Sequence, residues 1–159
     1  NVILAAREAA KLCSCAVDVV ETTNVGQAVA ALPYFEPTGD PAAVVARMRE
    51  AAGGAHALEV TRATRDATMD GIAVKAGDAI ALVDGRIVAR ADDVVEALAR
   101  GADALRAQGV GILTLFVGAE ADGALADRAV ERLRACCPEA EIEVKDGGQP
   151  YYPFLVAAE

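Results

Sequence analysis

Apolar positions recur along the chain at two spacings, and each change of spacing marks a new element. Val2-Ile3-Leu4 through Leu12 opens the chain as a helix over about 2–13. Ala16-Val17-Asp18-Val19-Val20-Glu21 is β-branched and predicts a strand. Thr23-Asn24 offers an N-cap for a short helix ending before Pro33. Asp40-Pro41 caps and opens another, with Val44, Val45 and Met48 on its apolar face and Gly53-Gly54 as its stop. A β-rich middle follows. Residues 57–65 extend toward a turn at Met69-Asp70-Gly71, then Ile72–Val74 leads to a second turn at 75–78. Residues 79–83 and 86–89 flank Asp84-Gly85, the strongest hairpin signal in the chain. Val94, Val95, Leu98, Ala102 and Leu105 then predict a helix over 92–108, capped by Asp92 or Ala91. The nearly continuous apolar run 110–117 predicts a central strand covered on both faces. Residues 122–135 are helical again, with Leu125, Ala129, Val130 and Leu133 inward, and strands at 142–144 and from Phe154 close the chain.

This order predicts one α/β domain over residues 1–159, layered, with a mixed and partly parallel sheet. A parallel core with an antiparallel margin fits it. Pro150 and Pro153 keep the closing run extended and place it at a sheet edge or end.

The length suits a single core without staples. Mean hydropathy is +0.29, but no apolar run reaches the ~18 residues of a membrane span, so no membrane insertion is expected. A formal net charge of −9 argues against nucleic acid as partner, because phosphate binding needs a basic face. Asn1 is no start methionine and no signal-peptide pattern follows it; the chain reads as a piece of a larger, cytoplasmic protein. The four cysteines stand as Cys13-x-Cys15 and Cys136-Cys137, which is not a metal-ligand spacing. They read as reduced, small apolar residues in or near a core, with no metal.

Catalytic groups are sparse. His56 is the only histidine, and it follows two glycines at a helix-to-strand junction. No nucleophile elbow, zincin helix or phosphate-binding loop is present, and Gly109-Val110-Gly111 precedes a strand instead of following one. Three features stay open between structure and recognition. Gly147-Gly148 is either an anion-binding nest or a tight connection anchored by Gln149. Arg62, Arg65, Asp66, Thr68 and Asp70 form the densest polar cluster, either local pairing or a recognition patch. Tyr34-Phe35 and Tyr151-Tyr152 are either core fillers or interface anchors, with Tyr151 the better placed for an exposed contact.

The closing residues Gly147, Gly148, Gln149, Pro150, Tyr152, Pro153, Phe154 and Glu159 carry a resemblance. They are similar to the GGQP-x-YP-[FY] ending of the C-terminal domain of the bacterial fatty acid kinase ATP-binding subunit, in a dihydroxyacetone-kinase-like family. Residues 60–71 resemble that family's V-T-x-A-x-R-D-x-T-x-D-G stretch. Gly77, Asp78, Asp84, Gly85 and Ile87-Val88 resemble its G-D-x-I-x-x-x-D-G-x-I-V hairpin.

The resemblance implies a fold like one half of the DegV type. It further implies a domain that docks a DegV-type fatty-acid-binding carrier, while an upstream domain uses Mg-ATP to phosphorylate the bound acyl carboxylate for phospholipid synthesis. This fragment would then hold no catalytic residue and no cofactor. Its candidate contacts would be Arg62, Arg65, Asp66, Thr68, Asp70, Gly147, Gly148, Gln149 and Tyr151. The alternative is a substrate-binding or dimerisation domain of a dihydroxyacetone-kinase-like enzyme, and homodimer formation stays open.

Overall fold

Antiparallel ladders build most of this protein, and they follow from its tight turns. The computed structural model describes residues 1–159. Four strands from the middle and end of the chain set the frame: β1 (His56–Arg62), β4 (Ala79–Val83), β5 (Arg86–Ala91) and β8 (Phe154–Ala158). With β6 (Ile112–Val117) and β7 (Glu141–Asp146) they form a six-stranded sheet ordered β5-β4-β1-β8-β6-β7. A separate hairpin pairs β2 (Ala67–Met69) with β3 (Ile72–Val74). Both hairpins turn on Asp-Gly. Asp84 and Gly85 have φ of 50° and 78°, and Asp70 and Gly71 have 52° and 80°. Positive φ at both central residues is what a right-twisted two-residue hairpin requires.

The sheet is mixed, as its element order predicts, but the parallel part is in the margin. Only β6 and β7 run parallel, at one edge, and every other pair is antiparallel. The terminal strand is not at an edge either. β8 lies between β1 and β6, because Pro150 and Pro153 precede its first ladder residue and remove no interior hydrogen bond.

One face of the sheet meets α4 (Val94–Arg106) and α5 (Gly123–Cys136). A core of 23 buried residues joins them, including Leu58, Val60, Leu98, Leu105, Leu113, Leu115, Leu133, Phe154 and Val156. Alanines dominate the α4 side of this core and let helix and sheet approach closely. A Cβ on Gly101 would lie 2.3 Å from Leu58 Cδ1. The predicted inward residues Val94, Val95, Leu98, Ala102 and Leu105 are all buried. The α4 cap is Asp93, not Asp92 or Ala91: its Oδ1 accepts from Val95 N at 2.7 Å and Glu96 N at 3.3 Å. On this face Leu113 and Leu115 of β6 are fully buried and Val117 is half-buried. On the other, Thr114 is buried while Ile112 is exposed.

The second face carries α2 (Val25–Ala31), a 3₁₀ turn (Leu32–Tyr34) and α3 (Pro41–Gly54). Asn24 caps α2 by accepting from Gln27 N, and Asp40 caps α3 by accepting from Ala43 N with Pro41 next, as the sequence predicts. Gly53-Gly54 form the last turn of α3, which ends at extended Ala55. A Cβ on Gly26 would lie 2.2 Å from His56 O, so α2 rests directly on β1. The β2–β3 hairpin covers the far end of this face, where Val74, Ile80 and Ile87 form a small second core. A register shift between Ala81 and Leu82 lets Ile87 face that core while Ala89 and Ala91 face α4.

Two N-terminal expectations differ from the structure. The first helix, α1, spans only Val2–Ala10 and buries none of its residues. Residues 16–21 pair with no strand. Arg49 Nη2 instead donates to Val19 O at 3.2 Å and ties the segment to α3.

Candidate functional site

The C-terminal motif is organised by backbone hydrogen bonds. Gly147 N and Gly148 N both donate to Val117 O, at 2.9 and 3.0 Å, Ala119 N donates to Gln149 O at 3.0 Å, and Gly118 N to Pro153 O at 2.9 Å. Gln149 Nε2 donates to Phe116 O and Tyr152 O, each at 3.1 Å. Close approach requires glycine here: a Cβ on Gly118 would lie 2.2 Å from Tyr152 O. Gln149 therefore anchors the turn, one of the two roles its sequence position allows. The nest reading loses its donors, because both glycine amides are spent on Val117.

This anchored turn projects Tyr151 outward. The residue is 74% exposed and holds φ of 66°, uncommon for a bulky side chain. Its carbonyl is fixed by Thr61 Oγ1, which donates at 2.6 Å. Between Tyr151 and the end of β1 lies an open groove of about 620 Å³. Ile80, Leu82 and Pro153 give it an apolar floor, and Arg62 and Glu120 give it charge. Arg62 Nη1 donates to Gly77 O at 2.9 Å, which orients the guanidinium and leaves its other donors free.

Of the sequence-predicted residues, the structure thus brings Arg62 and Tyr151 together. Arg65 is exposed beyond the end of β1, so the alternating faces expected for residues 57–65 stop at Arg62. Asp66, Thr68 and Asp70 belong to the β2–β3 hairpin. Asp66 Oδ1 accepts from Ala76 N at 2.8 Å; Asp70 accepts from Arg86 Nε at 3.3 Å and Ile87 N at 3.0 Å. Their carboxylates bond turn amides and hold hairpin to sheet, and neither pairs with Arg62 or Arg65. Thr68 is exposed. Thr61, a matched position of the 60–71 stretch, and Glu120, which no motif announces, complete the groove.

Other polar groups are locally satisfied. His56 Nδ1 lies 2.7 Å from Asp84 Oδ2, while Asp84 Oδ1 accepts from Ala57 N at 3.0 Å and Asn24 Nδ2 at 3.3 Å. This joins α2, β1 and the β4–β5 turn. Glu59, on the same strand, has its carboxyl pushed above the ordinary value by burial and then by the charge of Asp84. Between α4 and α5, Arg128 meets Asp93 and Arg132 meets Glu96. Burial alone would raise Asp93, but amides of Val95 and Glu96 and then Arg128 hold it low. Cys136 and Cys137 are buried with thiols pushed up by desolvation, whereas Cys13 and Cys15 are exposed, not core residues. The groove therefore offers shape, a guanidinium, the Glu120 carboxylate and two tyrosine rings. Its one hydroxyl from β1 is already committed to Tyr151 O.

Comparisons with known proteins agree with this fold. The model of the FakA-like family, which describes the C-terminal part of fatty-acid-kinase-like proteins, matches residues 1–159. An uncharacterized protein of Staphylococcus aureus (strain USA300) is 25% identical over 159 residues, and one of Staphylococcus haemolyticus (strain JCSC1435) is 28% identical over the same length. The chain spans 29% of the length of each. A crystal structure of a DegV family protein from Ruminococcus gnavus with vaccenic acid superposes with a TM-score of 0.54 at 16% identity. The match covers 84% of this chain and 54% of that one, so the fold is shared with about half of the DegV protein.

Proposed function

The chain belongs to the FakA-like C-terminal family of fatty-acid-kinase-like proteins, and from that premise we propose that it is a non-catalytic docking domain. Its partner is a DegV-type fatty-acid-binding protein. Docking presents the carrier's acyl carboxylate to the nucleotide-binding part of the longer polypeptide, which phosphorylates it with Mg-ATP. The chain's own residues bind and orient. No triphosphate cradle is available in the Gly147-Gly148 turn, whose amides are bonded to Val117 O.

The observation that carries this reading is the open groove joining Arg62 to Tyr151. Arginine and tyrosine are enriched among the residues that dominate interface energetics, and a rigid backbone lowers the ordering cost of contact. Thr61 and Gln149 supply that rigidity from either side. Arg65, three residues beyond Arg62 in sequence, is exposed and offers a second guanidinium. Asp66 and Asp70 brace the hairpin that flanks it, and Thr68 is exposed on β2.

Binding and melting measured on the same variants test the proposal. Arg62→Ala with Arg65→Ala, and Tyr151→Ala separately, are expected to weaken binding to a purified DegV-type carrier by roughly 1–3 kcal/mol each. The thermal midpoint should barely move, because surface substitutions usually stay within about ±0.5 kcal/mol. Wild-type affinity in both variants would place the docking face elsewhere.

A further inference from the structure

Asp18 and Val20, the loop from Phe35 to Gly39 and α3 line a second cleft, of about 420 Å³, away from the Arg62–Tyr151 groove. Its lining is mainly apolar: Val20, Phe35, Val44, Val45 and Met48. Phe35 is 61% exposed, and Leu32 and Tyr34 beside it are exposed too. The walls are fixed. Arg49 holds Val19 O, and Gly39 backs onto α3 so closely that a Cβ there would lie 2.8 Å from Val44 Cγ2.

The charged side chains lining the cleft are acidic, while the cations Arg47 and Arg49 beside it are engaged by Glu36 and by Val19 O. Asp18 and Glu36 line the cleft, and Asp40 flanks it as the α3 cap. Between Lys11 and Arg47 the sequence holds four acidic residues and no basic one. Arg47 itself is paired with Glu36 at 3.3 Å, and Asp18 makes no ion pair. An apolar cleft with a net acidic rim is complementary to a bulky apolar side chain flanked by cations. It is a poor fit for a free fatty acid, whose carboxylate would meet Asp18 and Glu36.

We propose that this cleft docks a basic segment of a separate protein, anchored by one aromatic or large aliphatic side chain between Phe35 and Met48, with lysine or arginine on either side facing Asp18 and Glu36. The site is independent of the carrier groove and stands or falls separately from it.

Three synthetic peptides of twelve residues test this by NMR titration of the ¹⁵N-labelled chain. The first alternates lysine with leucine and phenylalanine, the second replaces every lysine with glutamate, and the third replaces every apolar residue with serine. The first is expected to shift amides of Val20, Phe35, Val45 and Met48 selectively, and the other two to leave them in place. Asp18→Lys should weaken the first peptide about tenfold, and Phe35→Ser should do the same at unchanged melting temperature. Binding should fall as salt rises. Equal response to the glutamate or serine peptide, shifts spread over the acidic surface, or no response at all would overturn the proposal. So would sedimentation showing that the chain alone dimerises through Phe35, since a second copy would then be the occupant.

Discussion

Glu59 stands on an interior strand between Leu82 and Leu155, where an ionised carboxylate is least at ease. Burial and Asp84 raise its carboxyl above the ordinary 4.5. The folded chain then binds this proton more readily than the unfolded one. Stability is accordingly lost as pH climbs from the ordinary value through the raised one. Glu59→Gln is expected to raise the melting temperature at pH 7, with the gain vanishing below pH 4.5. A gain that persists in acid would show that packing, and not charge, is the cause. Thiol reactivity separates the cysteines in the same way. Cys13 and Cys15 should be alkylated by iodoacetamide much faster than Cys136 and Cys137, read by mass spectrometry, because the latter pair is buried with raised thiols. The sequence signals no such split: small apolar residues are interchangeable on paper until burial is known.

At the scale of elements, local signals carry far. Asp84-Gly85, Asp40-Pro41 and the 94–105 stripe form the predicted hairpin, cap and buried helix face. The differences are long-range. β8 is central because β1 and β6 both pair with it, and no local pattern encodes which neighbours a strand will find. Residues 16–21 have strand composition but pair with no strand, so composition alone did not make one. The central position of β8 makes a prediction. Phe154 is fully buried, so Phe154→Ala should cost about 3–5 kcal/mol in urea denaturation. Gly118→Ala should cost about 1–3 kcal/mol, because its Cβ would displace the Tyr152 carbonyl from the turn. A neutral Gly118→Ala would mean that the turn relaxes freely and does not hold Tyr151 rigid.

At the scale of the molecule, the sheet's two faces divide the work. The α4–α5 face closes the main core, while the other face is covered only in part, by α2, α3 and the small hairpin. The groove opens on that second face beside the hairpin, where Ile80 and Leu82 contribute to both. Half of this site is legible in the sequence. Arg62 and Tyr151 stand out by residue type, inside the two matched segments, and Thr61 is itself a matched position, but Glu120 enters the site only through the fold. The glycine pair belongs to the scaffold, since its amides serve Val117. On the proposed function, this domain recognises a carrier protein and not a nucleotide. Isothermal titration of residues 1–159 with a purified DegV-type fatty-acid-binding protein tests that distinction most directly, with Mg-ATP titrated in parallel. Saturable one-to-one binding to the carrier and no heat from Mg-ATP are expected. No binding to the carrier, or stoichiometric micromolar binding of Mg-ATP, would contradict it.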